Sequence, residues 1–177
     1  MRTRVGYAGG TKPNPTYYDL GDHSETIEIE YDPAQISYSE LLAAFWEGHS
    51  PIVPPFSRQY ASIIFYHDET QRRLAEESKA REEARTGYKM FTEIRPAGQF
   101  TLAEDYHQKH ALRGAPELLD EYLAIYPNVG DLVRSTAVAR VNGYLGGYGT
   151  RADLERELDA LGLSEAGRQR LLQSVRR

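Results

Sequence analysis

Three polar side chains lie at junctions between ordered stretches and loops. Glu25 begins a stretch of alternating polar and apolar residues, Tyr17 closes a proline-containing loop, and Tyr60 begins an apolar stretch. Such junctions often carry function, because an ordered element fixes the group and the loop leaves it accessible. A carboxylic acid held between tyrosines in a partly apolar cleft is kept protonated by desolvation, so it can donate a proton to a developing anion or a leaving oxygen. The alternative interpretation of Glu25 is an ordinary exposed strand carboxylate.

Metal and thiol chemistry find little support in the sequence. His107 and His110 stand three residues apart on a predicted helix, beside Glu104 and Asp105, and this spacing can present two ligands on one face. No third ligand stands at a helical or hairpin offset, so a solvated helix is favoured over a metal site. The 177 residues include no cysteine, which excludes thiolate nucleophiles, disulfides and thiolate metal sites formed from these residues.

The composition is that of a globular protein with one well-packed domain and a small appendage. The chain has a mass of 20.1 kDa, 40% hydrophobic residues, 27% charged residues and a formal charge of -5. The acidic balance argues against a general nucleic-acid binder, and no apolar stretch is long enough to cross a membrane. No export signal is recognised at the N-terminus, so we expect a cytoplasmic location.

The elements that would position these groups are strands first and helices later. Ser37 and Glu40 form a capping box at the start of a helix, and Gly87 is predicted to end a charged helix. The predicted strands cover residues 2–8, 24–31, 60–66, 90–94 and 99–102, the last two as a pair joined by a turn. Further helices are predicted at residues 103–112, 116–125, 129–141, 152–161 and 164–176. This order predicts an α+β domain over residues 1–112 and a helical C-terminal extension over residues 113–177.

Several segments together resemble one protein family. The run Val5-Gly6-Tyr7-Ala8-Gly9-Gly10-Thr11-Lys12-Pro13-Asn14-Pro15-Thr16-Tyr17 resembles the peptide methionine sulfoxide reductases of the A type. The same is true of residues 31–38, 45–49, 58–63 and 103–109, which recur in the family's order. The resemblance implies a ferredoxin-like, two-layer α/β sandwich that here lacks its first strand and helix.

The resemblance also implies a chemistry, which is the reduction of the S-epimer of methionine sulfoxide, free or in proteins, as a repair of oxidative damage. In the family, a cysteine within Gly-Cys-Phe-Trp-Gly attacks the sulfoxide sulfur, while a glutamic acid and two tyrosines hold the oxygen and supply the proton. By position these three are Glu25, Tyr17 and Tyr60. The family binds no cofactor or metal, and thioredoxin or a dithiol restores the thiol.

The sequence departs from the family pattern at the nucleophile. The Gly-Cys-Phe-Trp-Gly motif and the resolving cysteines are absent, Pro55 replaces an acidic residue, and the loop between Tyr17 and Glu25 is shorter. Serine and tyrosine do not replace a partly ionised sulfur attacker near neutral pH, so we expect no reduction by the chain as written. Our favoured interpretation is an N-terminally truncated reductase. The alternative is a non-catalytic relative that binds a ligand or protein through the same three residues.

Overall fold

The computed structural model describes residues 1–175, which form two compact units. The unit that we call the sheet unit consists of Gly6–Thr26 and Tyr31–Leu102. The other, the helical unit, consists of Met1–Val5, Ile27–Glu30 and the chain from Ala103 onward. The sequence-based division into residues 1–112 and 113–177 stays a prediction about domains.

Five strands occur among the described residues, in two sheets. They are β1 (Arg2–Ala8), β2 (Ser24–Glu30), β3 (Ile63–Tyr66), β4 (Glu93–Pro96) and β5 (Phe100–Leu102). One sheet has the order β2-β1-β5, and the other contains β3 and β4. β2 has the predicted alternating sequence, but the buried face expected from it is not formed at Ile27, which is 56% exposed.

The pairing of β4 and β5 differs from the prediction. β4 runs parallel to β3, with Ile63 opposite Glu93, whereas β5 is antiparallel to β1, with Ala8 opposite Phe100. The predicted pair of neighbouring strands is therefore wrong. The backbone pairing with β3 continues beyond Pro96, where the Ala97 N–H donates to the Tyr66 carbonyl at 2.7 Å.

The helices of the sheet unit begin and end where local signals predict. They are α1 (Tyr38–Glu47) and α2 (Glu69–Thr86). Ser37 and Glu40 form the predicted capping box of α1, and Gly87 ends α2 with a φ of 74°. Both helices pack in a small core built on Leu42, Ile64 and Ala75. This core contacts β3 through Ile64 and β4 through Ile94.

In the helical unit, the helix predicted at residues 116–125 has the predicted bounds, whereas the other predicted helices are shorter or divided. The helix predicted at residues 103–112 is replaced by a 3₁₀ turn and a helix that begins only at residue 110. The helices of this unit are α3 (His110–Arg113), α4 (Pro116–Ile125), α5 (Val129–Arg134), α6 (Thr136–Leu145), α7 (Arg151–Glu157) and α8 (Glu165–Ser174), with 3₁₀ turns at Asp105–His107 and Leu158–Leu161. The single helix predicted at residues 129–141 is broken at Ser135, whose side chain accepts from the Val138 N–H and so caps α6. The end predicted for the last helix, Arg176, lies outside the described residues.

The core of the helical unit joins its helices through buried leucine, valine and tyrosine side chains. Tyr122 is fully buried, and its hydroxyl donates to the Leu161 carbonyl at 2.7 Å. The described residues thus form a mixture of strands and C-terminal helices, as predicted. None of the described helices combines the length and the apolar character needed to cross a lipid bilayer.

Candidate functional site

The proline-containing loop of the sheet unit is held by Asp22 and His23. The Asp22 carboxylate accepts from the Thr11 N–H at 2.8 Å, the Thr11 hydroxyl at 2.9 Å and the Lys12 N–H at 3.1 Å. These hydrogen bonds, led by the one from the Thr11 backbone, lower the pKa of Asp22 well below its usual range. The buried His23 ring accepts from the Gly10 N–H and donates from Nε2 to the Lys12 carbonyl at 2.8 Å. The loop that carries Tyr17 is therefore fixed at the entrance to β2.

The next two residues bond to the segment that precedes β3. The Ser24 hydroxyl donates to the Arg58 carbonyl at 2.6 Å, and the Glu25 N–H donates to the Gln59 carbonyl at 3.0 Å. The Gln59 side chain returns a bond, from Nε2 to Glu25 Oε1 at 2.8 Å. Four consecutive residues, 22–25, thus hold the two segments that carry the candidate tyrosines.

This arrangement brings Glu25, Tyr17 and Tyr60 together, as the sequence predicts. Desolvation raises the pKa of Tyr60, and both the charge of Glu25 and a hydrogen bond with Tyr17 raise it further. Tyr60 lies in the loop before β3 rather than within the strand, which begins at Ile63. A carboxylate and two phenol hydroxyls at one place can bind and protonate an oxygen atom of a ligand.

The surroundings of Glu25 differ from the apolar cleft expected from the sequence. Glu25 is exposed, and Tyr60 is 50% exposed. Two further aromatic rings extend the surface. Tyr18 is 89% exposed and lies 5.3 Å from Tyr17 between ring centroids, and Phe56 is 86% exposed and lies 5.2 Å from Tyr60. The described residues therefore present the carboxylate to solvent on an aromatic surface and do not enclose it.

Sequence reasoning missed Gln59, although it precedes Tyr60 in one of the segments with family resemblance. The available signal was this position, since a polar residue beside a candidate site residue often contacts the same group. The pair His107 and His110 belongs to the helical unit, and among residues 1–175 no group of three or more His, Asp or Glu side chains is arranged to hold a metal ion. Pro55 lies exposed in the loop before Gln59.

The strands and the C-terminal helices define an α+β protein, and the carboxylate beside two tyrosines is its candidate site. A family profile described as peptide methionine sulfoxide reductase matches residues 1–131, and the helical domain of selenoprotein methionine sulfoxide reductase A matches residues 128–170. The chain belongs to the peptide methionine sulfoxide reductase family.

Individual relatives are similar over most of this chain. A peptide methionine sulfoxide reductase of Drosophila melanogaster is 43% identical over 171 residues, which are 96% of this chain and 68% of the relative. Peptide methionine sulfoxide reductase A5 of Oryza sativa subsp. japonica is 42% identical over 150 residues, and the match covers 81% of this chain and 58% of that protein.

Two solved structures share the fold over a smaller part. The reduced form of Mxr1 from Saccharomyces cerevisiae has a TM-score of 0.59 at 26% identity, and covers 64% of this chain and 71% of its own. Methionine sulfoxide reductase A of Corynebacterium diphtheriae has a TM-score of 0.54 at 30% identity, and the match covers 64% of this chain and 63% of that one.

Proposed function

We propose that this chain carries the acid–tyrosine part of a methionine S-sulfoxide reductase. Protonated Glu25 donates to the sulfoxide oxygen, while the hydroxyls of Tyr17 and Tyr60 help to hold that oxygen. The observation that carries the proposal is the grouping of these three side chains by the hydrogen bonds of residues 22–25, in a chain that belongs to this family. Proteins and peptides that contain oxidised methionine are the proposed substrates.

The proposed reaction needs a sulfur nucleophile in addition to the acid. A thiolate attacks the sulfoxide sulfur while the acid protonates the oxygen. The sulfur–oxygen bond and the new sulfur–sulfur bond then break and a hydroxyl group ends on the attacking sulfur, so the products are a thioether and a sulfenic acid. Two thiols, as supplied by reduced thioredoxin or a dithiol, then reduce the sulfenic acid. The first forms a mixed disulfide and releases water, and the second displaces the original thiol and leaves the reductant as a disulfide. The 177 residues contain no cysteine, so the nucleophile has to come from outside these residues. We therefore expect them to bind the sulfoxide without reducing it.

The experiment that tests the acid role compares binding of a sulfoxide with binding of the matching thioether. N-acetyl-L-methionine S-sulfoxide and N-acetyl-L-methionine differ by the oxygen that Glu25 is proposed to contact. The sulfoxide oxygen only accepts hydrogen bonds, and an ionised carboxylate has no proton to donate. The preference for the sulfoxide should therefore increase as the pH falls, which NMR titration of the 177-residue chain measures.

The variant Glu25→Gln provides the decisive comparison, because an amide donates at every pH. Its sulfoxide preference should be independent of pH, whereas that of the parent chain should increase as the pH falls. A parent chain whose preference does not vary with pH would contradict the role of Glu25. Turnover of the sulfoxide by the purified chain with dithiothreitol, above the rate with dithiothreitol alone, would contradict the expectation that the chain binds the sulfoxide without reducing it.

A further inference from the structure

Gln59 contacts Glu25 twice, through separable groups. Its main-chain carbonyl accepts from the Glu25 N–H at 3.0 Å, which fixes the position of the start of β2. Its side-chain amide donates to Glu25 Oε1 at 2.8 Å, which fixes the carboxyl group itself. Only the second contact depends on the identity of the side chain at position 59, so a substitution removes it while the main-chain contact remains.

We propose that Gln59 is a positioning residue that determines which oxygen of Glu25 presents the proton to the sulfoxide. This inference rests on the function proposed above for Glu25. A protonated carboxyl group has one oxygen that carries the proton and one that accepts hydrogen bonds. Because Gln59 Nε2 donates to Oε1, Oε1 is the accepting oxygen, and the proton is left on Oε2. Gln59 thus orients the acid in advance of ligand binding.

The chemical type of the residue suits this task. Glu25 is exposed, so without a partner its carboxyl group would rotate freely, and ordering it on binding would cost conformational entropy. A cationic partner would order the carboxyl group but would also favour its ionised form, which cannot donate. An amide is a neutral donor, so it orients the group in either protonation state. The neighbouring cation, Arg58, is directed elsewhere and donates to Glu93 Oε1 at 2.5 Å.

The test is the variant Gln59→Met, which keeps the length of the side chain and removes its donor. We expect the affinity for N-acetyl-L-methionine S-sulfoxide at acidic pH to fall about fivefold, the effect of one lost hydrogen bond, while the affinity for N-acetyl-L-methionine stays the same. The preference for the S-sulfoxide over the R-sulfoxide should fall as well, because either oxygen can then carry the proton. The matched control is Gln35→Met, which removes a similar bond from an exposed amide to Asp32 at 3.2 Å.

The outcomes separate this inference from the proposed function. If the parent chain shows no pH-dependent sulfoxide preference, the function proposed for Glu25 fails. If that preference is present but Gln59→Met retains it, only the role of Gln59 fails. An equal loss of sulfoxide and thioether binding indicates a structural role and also overturns the inference. Gln59→Leu also removes the donor without adding a charge, so its sulfoxide preference at acidic pH should fall as far, and it keeps the inference testable if the methionine variant does not fold.

Discussion

Lys109 is expected to make the stability of the chain increase between neutral and alkaline pH. Its side chain is 5% exposed, and its ammonium group donates to the Thr3 carbonyl at 2.5 Å and the Thr3 hydroxyl at 2.9 Å. No carboxylate forms an ion pair with it among residues 1–175. Burial lowers the pKa of Lys109 from 10.5 to about 8. The folded chain therefore holds this proton less firmly than the unfolded chain does.

The sign and size of the effect follow from proton linkage. Below about pH 8 the lysine is charged in both states, and its burial costs about 3 kcal/mol of folding free energy. Between about pH 8 and pH 10.5 the unfolded chain binds more protons, so the free energy of unfolding rises with pH. The free energy of unfolding should therefore increase by about 2 kcal/mol from pH 7 to about pH 9.5. Above pH 10 the raised pKa of Tyr144, about 12, acts in the opposite direction, so measurements should stop below that point.

Urea unfolding of the parent chain and of Lys109→Met over this pH range measures the effect. In the variant the increase with pH should disappear, and its stability at pH 7 should equal or exceed that of the parent, because the cost of burying a charge is gone. Lys79→Met serves as the control, since Lys79 also donates to a carbonyl, that of Thr92 at 2.7 Å, but is only half-buried. A parent chain with constant stability from pH 7 to about pH 9.5, or a variant that keeps the increase, would refute the reasoning.

Two further substitutions test hydrogen bonds, one in the helical unit and one in the sheet unit. Tyr122→Phe leaves the Leu161 carbonyl without its buried donor and should lower the free energy of unfolding by about 1–3 kcal/mol, whereas Tyr148→Phe, at a ring that is 75% exposed, should have no measurable effect. Equal effects would contradict the importance of the buried bond. Asp22→Asn should accelerate amide exchange at Thr11 and Lys12 about tenfold, because an amide offers one accepting oxygen where the carboxylate offers two. In the parent chain, the lowered pKa of Asp22 should preserve this protection at pH 4 and lose it only in stronger acid. Loss of protection already at pH 5 would contradict the low pKa.

Local signals in the sequence predicted the parts of the fold that depend on neighbouring residues. The capping box of Ser37 and Glu40 and the stop at Gly87 each involve residues within one turn of a helix, and both were confirmed. The pairing of β4 with β3 was missed, because it depends on contacts between segments about 30 residues apart, such as Ile64 with Ile94. The break at Ser135 was missed because the apolar period continues across it.

In the candidate site, too, the sequence indicated some features, whereas contacts between distant residues could not be predicted from it. The family resemblance predicted Glu25, Tyr17 and Tyr60 as site residues; the structure brings the three side chains together, and their role stays a prediction. The resemblance did not indicate the hydrogen bond between Gln59 and Glu25. These residues are 34 positions apart, and no repeating pattern in the sequence connects them. The exposure of Glu25 also could not be predicted, because burial depends on everything that surrounds a residue in three dimensions.

Recognition of a sulfoxide and its reduction are separable steps, and this chain offers the means to separate them. Reduction needs a sulfur nucleophile, which the 177 residues do not contain. Recognition of the oxygen needs only a donor in a fixed orientation, and the bonds that would fix it, from Ser24 to Arg58 and between Glu25 and Gln59, are present in the described residues. Binding that depends on pH and distinguishes a sulfoxide from its thioether would therefore report the acid alone. Under the proposed function no chemical step follows binding, so the contribution of Glu25 and Gln59 to holding the oxygen would be measured at equilibrium, free of the rate of attack on sulfur.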